Sequence, residues 1–310
     1  MDIDPEVGAA LAAMALRKPL PVGEWKSRRD AMNATYRELE AASVRVDGVD
    51  TADLTVSSAD GHQVPVRLYR VPSSLPTALL VYLHGGGMIA GSVDVYDQVC
   101  RRYAVDAGVA VLAVDYRLAP ESPFPAPLED CVAAVEWALR HVAQMNLPGG
   151  PVALMGDSAG GGLAAATAVA CRDRGIGSLA AQLLVYPMLD DRTASATSAV
   201  APFLTWTPDD NITGWQALLG DAYGTDEIPA NAVPARVRSL RGLPRTYIEV
   251  GQLDLFLDES VVYATRLMQD EVPVHLVVRP GVVHGYDRVA PDSRAAQAAH
   301  TDRVAFLRSL

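Results

Sequence analysis

Residues 152–166 read VALMGDSAGGGLAAA. Its first part, VALM, is typical of a buried strand, and its Ala-rich end is typical of a helix. Between them lies GDSAG at 156–160, a GxSxG pentapeptide. A strand, a sharp turn flanked by glycines and a helix form a nucleophile elbow, which holds a serine hydroxyl above the sheet. The stretch therefore predicts Ser158 as a nucleophile, the alternative being a plain Gly-rich connection.

Two phosphate-binding loops also place glycines between a strand and a helix. A Walker loop needs Gly-Lys-Ser/Thr where this chain has Gly161-Gly162-Leu163. A dinucleotide-binding loop starting at Gly156 needs its second glycine where Ser158 stands. Neither pattern fits, so a nucleotide-binding loop is excluded here.

Strand-like and helix-like segments alternate along the chain. The first strand signals are VRVDGV, from about residue 43, and HQVPVRLYRV. Apolar runs typical of buried strands follow at 77–84, 109–118, 151–155, 179–189, 245–250 and 273–280. Patterns typical of helices lie at 5–15, 23–42, 94–107, 128–145, 158–171, 258–270 and 292–309. This alternation predicts an α/β fold, with a mostly parallel sheet and helices on both faces.

Residues 190–235 interrupt the alternation. This segment is rich in Gly and Pro and holds two of the four tryptophans. An insertion of this length between consecutive strands is typical of a functional lid or cap.

The chain is acidic, with 26 Lys and Arg against 37 Asp and Glu and a net charge of −11. A phosphate backbone or an anionic membrane would be repelled, so we expect no nucleic-acid or membrane partner.

Cys100, Cys131 and Cys171 are widely spaced, which predicts neither a disulfide framework nor a zinc site. The acidic N-terminus, with Arg17 and Lys18 interrupting its apolar stretch, predicts no export signal and a cytoplasmic location.

A serine nucleophile needs a base and an acid that orients the base. Among six histidines, His284 lies in RPGVVHGY just past the last predicted strand, where open α/β sheets place reactive groups. Asp254 falls in the loop after the preceding strand, whereas Asp258 lies at a helix start and suits an N-cap. The predicted triad is Ser158, Asp254 and His284, with Asp258 as the alternative acid. That chain order is typical of α/β-hydrolases.

The segment YLHGGGMIAGS at 82–92 follows another strand directly. Consecutive glycines leave backbone N–H groups unobstructed, so Gly86 and Gly87 are predicted donors to an oxyanion. The amide of Ala159, next to the nucleophile, is the third. A merely flexible loop is the alternative. We expect His84 to brace this loop rather than to transfer a proton.

The sequence resembles the hormone-sensitive-lipase-like family of bacterial carboxylesterases from about residue 60 onward. The matching motifs are HGGG at 84–87, YRLAPE at 116–121, GDSAGG at 156–161, Tyr186-Pro187 and His284-Gly285. The resemblance implies an eight-stranded α/β-hydrolase core at 46–189 and 226–310. It also implies a helical cap formed by residues 1–45 and the insertion 190–225. The implied activity is hydrolysis of short- to medium-chain esters without metal or cofactor, and a homodimer is plausible for the family.

Two positions depart from the family pattern. Met88 stands where an aromatic residue often follows HGGG, and Asp254 is followed by Leu-Phe instead of Pro-Leu. Met88, Phe203, Trp206 and Trp215 are candidate walls of the substrate pocket, with packing inside the cap as the alternative role. An amidase or peptidase would use the same triad. A non-catalytic receptor on this fold, similar to the plant gibberellin receptors, would lack the histidine that His284 supplies.

Overall fold

A computed structural model describes residues 2–14, 19–145, 147, 150–229 and 231–310. Within these residues, eight strands form one sheet, and nine α-helices accompany it. The strands are β1 Asp50–Ser57, β2 Gln63–Arg70, β3 Leu79–Leu83, β4 Ala110–Val114, β5 Val152–Asp157, β6 Ala181–Val185, β7 Arg245–Leu253 and β8 Val274–Val283. The helices are α1 Pro5–Ala13, α2 Trp25–Ala42, α3 Asp97–Ala107, α4 Ala126–His141, α5 Ala159–Arg174, α6 Pro208–Leu219, α7 Leu257–Gln269, α8 Tyr286–Val289 and α9 Arg294–Arg308.

The sheet has the order β1-β2-β4-β3-β5-β6-β7-β8. Strand β2 runs antiparallel to both of its neighbours, and all pairs from β4 to β8 are parallel. Strands β3 to β6 are buried along their whole length, as strands covered on both faces must be. The predicted α/β fold class is therefore confirmed.

Two apolar cores lie on opposite faces of this sheet. In β3, Leu79, Val81 and Leu83 pack in one core, while Leu80 and Tyr82 pack in the other. Successive side chains of a strand point to opposite faces, which explains the division. Helices α4, α5 and α7 contribute to the first core, and α3 and α9 contribute to the second.

Some predicted boundaries are wrong. VRVDGV is not a strand, because Gly48 has a φ of +77° and the Val46 amide donates to the Gln98 side chain. The helix predicted at 128–145 starts at Ala126 and ends at His141, where a 3₁₀ turn follows. Helix α1 ends at Ala13, and residue 15 of its predicted span lies outside the described residues.

Strands β7 and β8 each end three residues later than predicted. Gly251 and Gly281 suggest strand ends in the sequence, yet β7 continues through a register shift between Gly251 and Leu253. Such a bulge adds a residue to one strand without ending the pairing. The extension brings Asp254 and His284 directly to the strand ends.

Four parallel strands thus end next to residues of the predicted site. Strand β3 is followed by His84, β5 by Ser158, β7 by Asp254 and β8 by His284. Because the carboxyl ends of parallel strands share one edge of the sheet, the topology brings these residues together. None of the described helices is long and apolar enough to cross a lipid bilayer.

Candidate active site

Ser158 occupies a sharp turn between β5 and α5. Its backbone has φ 55° and ψ −119°, a sparsely populated conformation that non-glycine residues keep only when their surroundings enforce it. The surroundings are tight. A Cβ on Gly156 would lie 2.2 Å from the Gly160 carbonyl oxygen, and one on Gly160 would lie 2.0 Å from that of Leu83. The two glycines are therefore needed for close backbone approach around the serine.

His284 links the serine to an acid. Its Nε2 lies 2.9 Å from Ser158 Oγ, and its Nδ1 lies 2.9 Å from Asp254 Oδ2. Both separations are hydrogen-bonding distances. Edges of Tyr186 and Phe256 contact the imidazole, with ring centroids 4.8 and 5.1 Å away. The ring is thereby held in one orientation between its two polar partners.

The structure distinguishes the two candidate acids. Asp254 is buried, and its Oδ1 accepts a 2.9 Å hydrogen bond from the Phe256 amide while Oδ2 faces His284. Asp258 is exposed in the first turn of α7. Asp258 therefore suits the role of a helix-terminal charge, which stabilises a helix from its surface.

The oxyanion loop, defined here as residues 84–91, forms a tight turn above the sheet. Gly86, Gly87 and Met88 all have positive φ, at 136°, 60° and 66°. The amides of Ile89 and Ala90 donate to the Gly86 carbonyl at 3.1 and 2.9 Å. Among the described residues, no acceptor takes a hydrogen bond from the Gly86 or Gly87 amide. These two donors are therefore available to a ligand.

The third predicted donor, the amide of Ala159, lies at the first residue of α5. The first N–H groups of a helix have no partner within the helix and carry its positive dipole end. That position suits a developing negative charge next to Ser158.

His84 is part of the scaffold of the loop. Its Nδ1 lies 2.8 Å from the Gly85 carbonyl oxygen, and its ring stacks on Tyr116 at 4.3 Å. The Tyr116 hydroxyl donates to the His84 carbonyl at 2.6 Å. Burial lowers the pKa of His84, so the ring stays neutral at ordinary pH.

Asp157, for which the sequence suggested no role, joins the nucleophile turn to the oxyanion loop. Its buried carboxylate accepts hydrogen bonds from the hydroxyls of Tyr82 and Tyr96, at 2.9 and 2.7 Å. The Gly85 amide donates to the same carboxylate at 3.2 Å. The parallel pairing of Leu83 with Gly156 brings these segments side by side. The sequence alone does not show these partners, because they lie more than sixty positions before Asp157 in the chain.

The four candidate pocket walls do not form one group. Met88, Trp206 and Trp215 are buried in the same apolar core, whereas Phe203 is half-buried against the core on the other face. Trp206 contacts the oxyanion loop closely, since a Cβ on Gly87 would lie 2.2 Å from its Cη2.

Trp206 is also held in place by polar contacts. Its indole N–H donates to Asn211 Oδ1 at 3.2 Å, and the side-chain Nδ2 of Asn211 donates to the Thr193 carbonyl at 2.8 Å. The neighbouring Thr205 hydroxyl donates to the His284 carbonyl at 2.7 Å. This segment therefore contacts both the oxyanion loop and the histidine.

Among the described residues, no group of three or more His, Cys, Asp or Glu side chains is arranged to hold a metal ion. The chemistry that the site can perform with its own groups is nucleophilic attack by an activated serine.

Comparisons with known proteins show which family the chain belongs to. A family profile described as an alpha/beta hydrolase fold matches residues 80–288. Esterase LipI of Mycobacterium tuberculosis is 34% identical over 312 residues, covering 99% of this chain and 94% of its own. Ethyl acetate hydrolase of Pseudomonas putida is 31% identical over 93% of both chains. Among solved structures, a bacterial heroin esterase has a TM-score of 0.88 at 33% identity, covering 99% of this chain and 97% of its own.

The profile spans most of the chain, and relatives above 30% identity span nearly all of it. The resemblance that the HGGG and GDSAGG motifs suggested is confirmed. The chain belongs to the hormone-sensitive-lipase-like family of α/β-hydrolases.

Proposed function

We propose that this protein is a serine carboxylesterase that uses Ser158, His284 and Asp254 on short- to medium-chain esters. The chain is a carboxylic ester hydrolase, a class to which its relatives named esterase, carboxylesterase and carboxylic ester hydrolase belong. The observation that carries the proposed triad is the pair of 2.9 Å contacts on opposite nitrogens of His284. Nucleophile, base and orienting acid are in line in the order that acyl transfer requires.

In the first step, Ser158 Oγ attacks the ester carbonyl while His284 Nε2 takes the hydroxyl proton. Asp254 accepts the hydrogen bond from Nδ1–H, which fixes the tautomer and stabilises the imidazolium. His284 then gives the proton to the leaving alcohol, and an acyl-serine remains. Water, activated by the same imidazole, releases the acid and restores the serine.

The amides of Gly86, Gly87 and Ala159 are the proposed oxyanion hole. They are fixed by the turn and by the helix start before the reaction begins, so they need no reorganisation when charge develops on the carbonyl oxygen. Loss of one such donor costs about 3 kcal/mol of transition-state stabilisation.

A cap over the site, made of described parts of residues 1–45 and of the insertion 190–225, is also proposed. Its support is the joining of the two segments: Arg28 forms a 2.5 Å salt bridge with Asp210 of α6, and the Gly23 amide donates to Thr213 at 3.0 Å. The core proposed with this cap is 46–189 and 226–310. The partner proposed for the site is a small ester, and a homodimer stays a prediction.

A direct test compares matched substrates on two proteins. Wild type and Ser158→Ala are assayed with p-nitrophenyl acetate, p-nitrophenyl butyrate and the corresponding p-nitroanilides. We expect ester turnover by wild type only, with anilide turnover far slower. Equal turnover of ester and anilide would favour an amidase, and full activity of Ser158→Ala would refute the proposed triad.

A further inference from the structure

We propose that helix α2 holds the oxyanion loop in its active shape through Arg29 and Asn33, which act as positioning residues for the reaction. The inference rests on the proposed function, because the loop matters only if Gly86 and Gly87 stabilise an oxyanion. The two residues lie more than fifty positions before the loop in the sequence. No motif in that helix pointed to a role in the site.

Arg29 and Asn33 contact the two peptide groups that flank Ala90. The Arg29 Nε–H donates to the carbonyl of Ile89, and the Asn33 Oδ1 accepts a 3.0 Å hydrogen bond from the Gly91 amide. Residues four apart in a helix lie on the same face, so one face of α2 serves both contacts. A carbonyl and an amide that the turn itself does not use are thereby satisfied.

The loop needs such support because its backbone is strained. Met88, a residue with a side chain, has a φ of 66° directly after two glycines of positive φ. Conformations of this kind cost of order 1–3 kcal/mol and persist only where surrounding contacts enforce them. Within the described residues, the further backbone contact to this turn is the Ala119 amide, which donates to the Met88 carbonyl at 2.9 Å.

Arg29 is itself firmly placed. Its Nη1 and Nη2 donate to the two carboxylate oxygens of Glu121, each at 2.7 Å, and Nη2 also donates to the Ala119 carbonyl at 2.8 Å. The guanidinium lies over the Trp25 ring, 4.6 Å from its centroid. A bidentate and stacked arginine is a rigid anchor, since its planar fork fits only one arrangement of partners. Arg29 therefore binds the carbonyls of both Ile89 and Ala119. Ile89 follows Met88 in the chain, and the Ala119 amide donates to the Met88 carbonyl, so Arg29 holds both neighbours of Met88.

The neighbouring Arg28 contacts the proposed cap and not the oxyanion loop. Arg28 is buried and turns to Asp210 of α6, so its contacts connect α2 with the proposed cap. Arg29 and Asn33 instead connect α2 with the loop. The two sets of contacts can therefore be separated by single substitutions.

The test uses the full chain and four variants. Arg29→Met and Asn33→Leu remove the loop contacts, Asn33→Asp keeps an acceptor oxygen for the Gly91 amide, and Arg37→Met is the matched control. Arg37 is an exposed arginine on the same helix. Active sites are counted by titration with diethyl p-nitrophenyl phosphate, so that kcat refers to folded and competent protein only.

We expect Arg29→Met and Asn33→Leu to lower kcat roughly 10- to 100-fold, as small misplacements of catalytic groups do, with KM changed little. Their inhibition constants for an aryl trifluoromethyl ketone should rise by a similar factor, because its hemiketal oxygen occupies the oxyanion position. Asn33→Asp and Arg37→Met should stay close to wild type.

A lower melting temperature with unchanged kcat per titrated site in both loop variants would overturn the proposal, since it would show a purely structural role. If Arg29→Met does not fold, Asn33→Leu alone decides, because it leaves the arginine contacts intact. Failure of the proposed function looks different: in that case wild type itself would not turn over esters, or Ser158→Ala would.

Discussion

The Tyr96 hydroxyl donates a 2.7 Å hydrogen bond to Oδ2 of Asp157, the residue directly before Ser158. The other oxygen of that carboxylate accepts from the Tyr82 hydroxyl and from the Gly85 amide. One buried side chain therefore connects the nucleophile turn with the start of the oxyanion loop. Ionised carboxylates accept at both oxygens, and no other side chain of this size offers as many acceptor sites.

From this relationship we predict that Asp157→Asn impairs both stability and rate. Asparagine keeps one acceptor oxygen and directs an NH₂ group at a donor, so at least one buried hydrogen bond is lost. We expect about 1–3 kcal/mol less stability in urea unfolding. We also expect a kcat roughly 10-fold lower, because the serine and the loop shift relative to each other. Tyr82→Phe, which removes one donor only, should have a smaller effect; equal kcat for wild type and Asp157→Asn would contradict this interpretation.

The two aspartates after β7 should differ sharply. Asp254→Asn leaves an amide that can donate to His284 and so favours the wrong tautomer. We predict a kcat about 10⁴-fold lower, as in other Ser-His-Asp enzymes. Asp258→Asn, at an exposed position four residues on, should change kcat less than twofold. Steady-state kinetics on p-nitrophenyl butyrate measure both, and a larger loss for Asp258→Asn would reverse the assignment of the acid.

Trp206 is predicted to limit the size of the ester. Its indole lies against Gly87, and Asn211 prevents it from swinging away. Trp206→Ala should open space beside the oxyanion loop and raise the ratio of kcat/KM for octanoyl to acetyl esters. Trp206→Phe should raise that ratio less, and Trp137→Ala, on the remote helix α4, should leave it unchanged. An unchanged ratio in Trp206→Ala would show that this side chain only packs within the cap.

We predict that the stability of the protein depends on pH through Glu259, which lies in the first turn of α7. This carboxyl is buried, and the Leu189 amide and the Thr193 hydroxyl are its hydrogen-bonding partners. Burial, together with the nearby charge of Asp190, raises the pKa of Glu259 well above its usual value of 4.5.

Above pH 4.5 the folded protein therefore holds a proton that the unfolded chain has lost. The contribution of Glu259 to the stability of the folded protein is therefore complete below pH 4.5. It decreases as the pH rises toward the pKa of Glu259 in the folded state, by at most about 1.4 kcal/mol per pH unit. Glu259→Gln stays neutral and lacks this slope. Urea unfolding between pH 5 and pH 8 should show the variant gaining stability relative to wild type as pH rises. Parallel curves for the two proteins would disprove the assignment; the exposed Glu271→Gln serves as the control.

Much of the site is predictable from the sequence, because its proposed catalytic residues directly follow the ends of strands. Ser158, Asp254 and His284 each follow an apolar run, and parallel strands bring such positions to one edge. The partners of Asp157 are not predictable in this way, since they depend on how β3 and β5 pair and on where a 3₁₀ turn at 93–96 lies. Phe203 and Trp206 are three positions apart, yet they pack against opposite faces of the sheet. This could not be predicted either, because tertiary packing decides which face a residue of the proposed cap covers.

The contacts that helix α2 makes with the oxyanion loop could likewise not be predicted from the sequence pattern. An amphipathic helix predicts a buried face, and Met32 fulfils that expectation in the core. The polar partners of Arg29 and Asn33 lie in the oxyanion loop, far along the chain, and periodicity does not reveal contacts of this kind.

The proposed role of Ser158 as the nucleophile of this ester hydrolase can be tested by covalent labelling. The protein is treated with a fluorophosphonate and the modified peptide is identified by mass spectrometry, while residual esterase activity is followed in parallel. We predict one phosphonyl group on Ser158, formed in proportion to the loss of activity, and neither labelling nor turnover in Ser158→Ala. Labelling of another residue in step with inactivation, or full turnover by Ser158→Ala, would show that Ser158 is not the nucleophile.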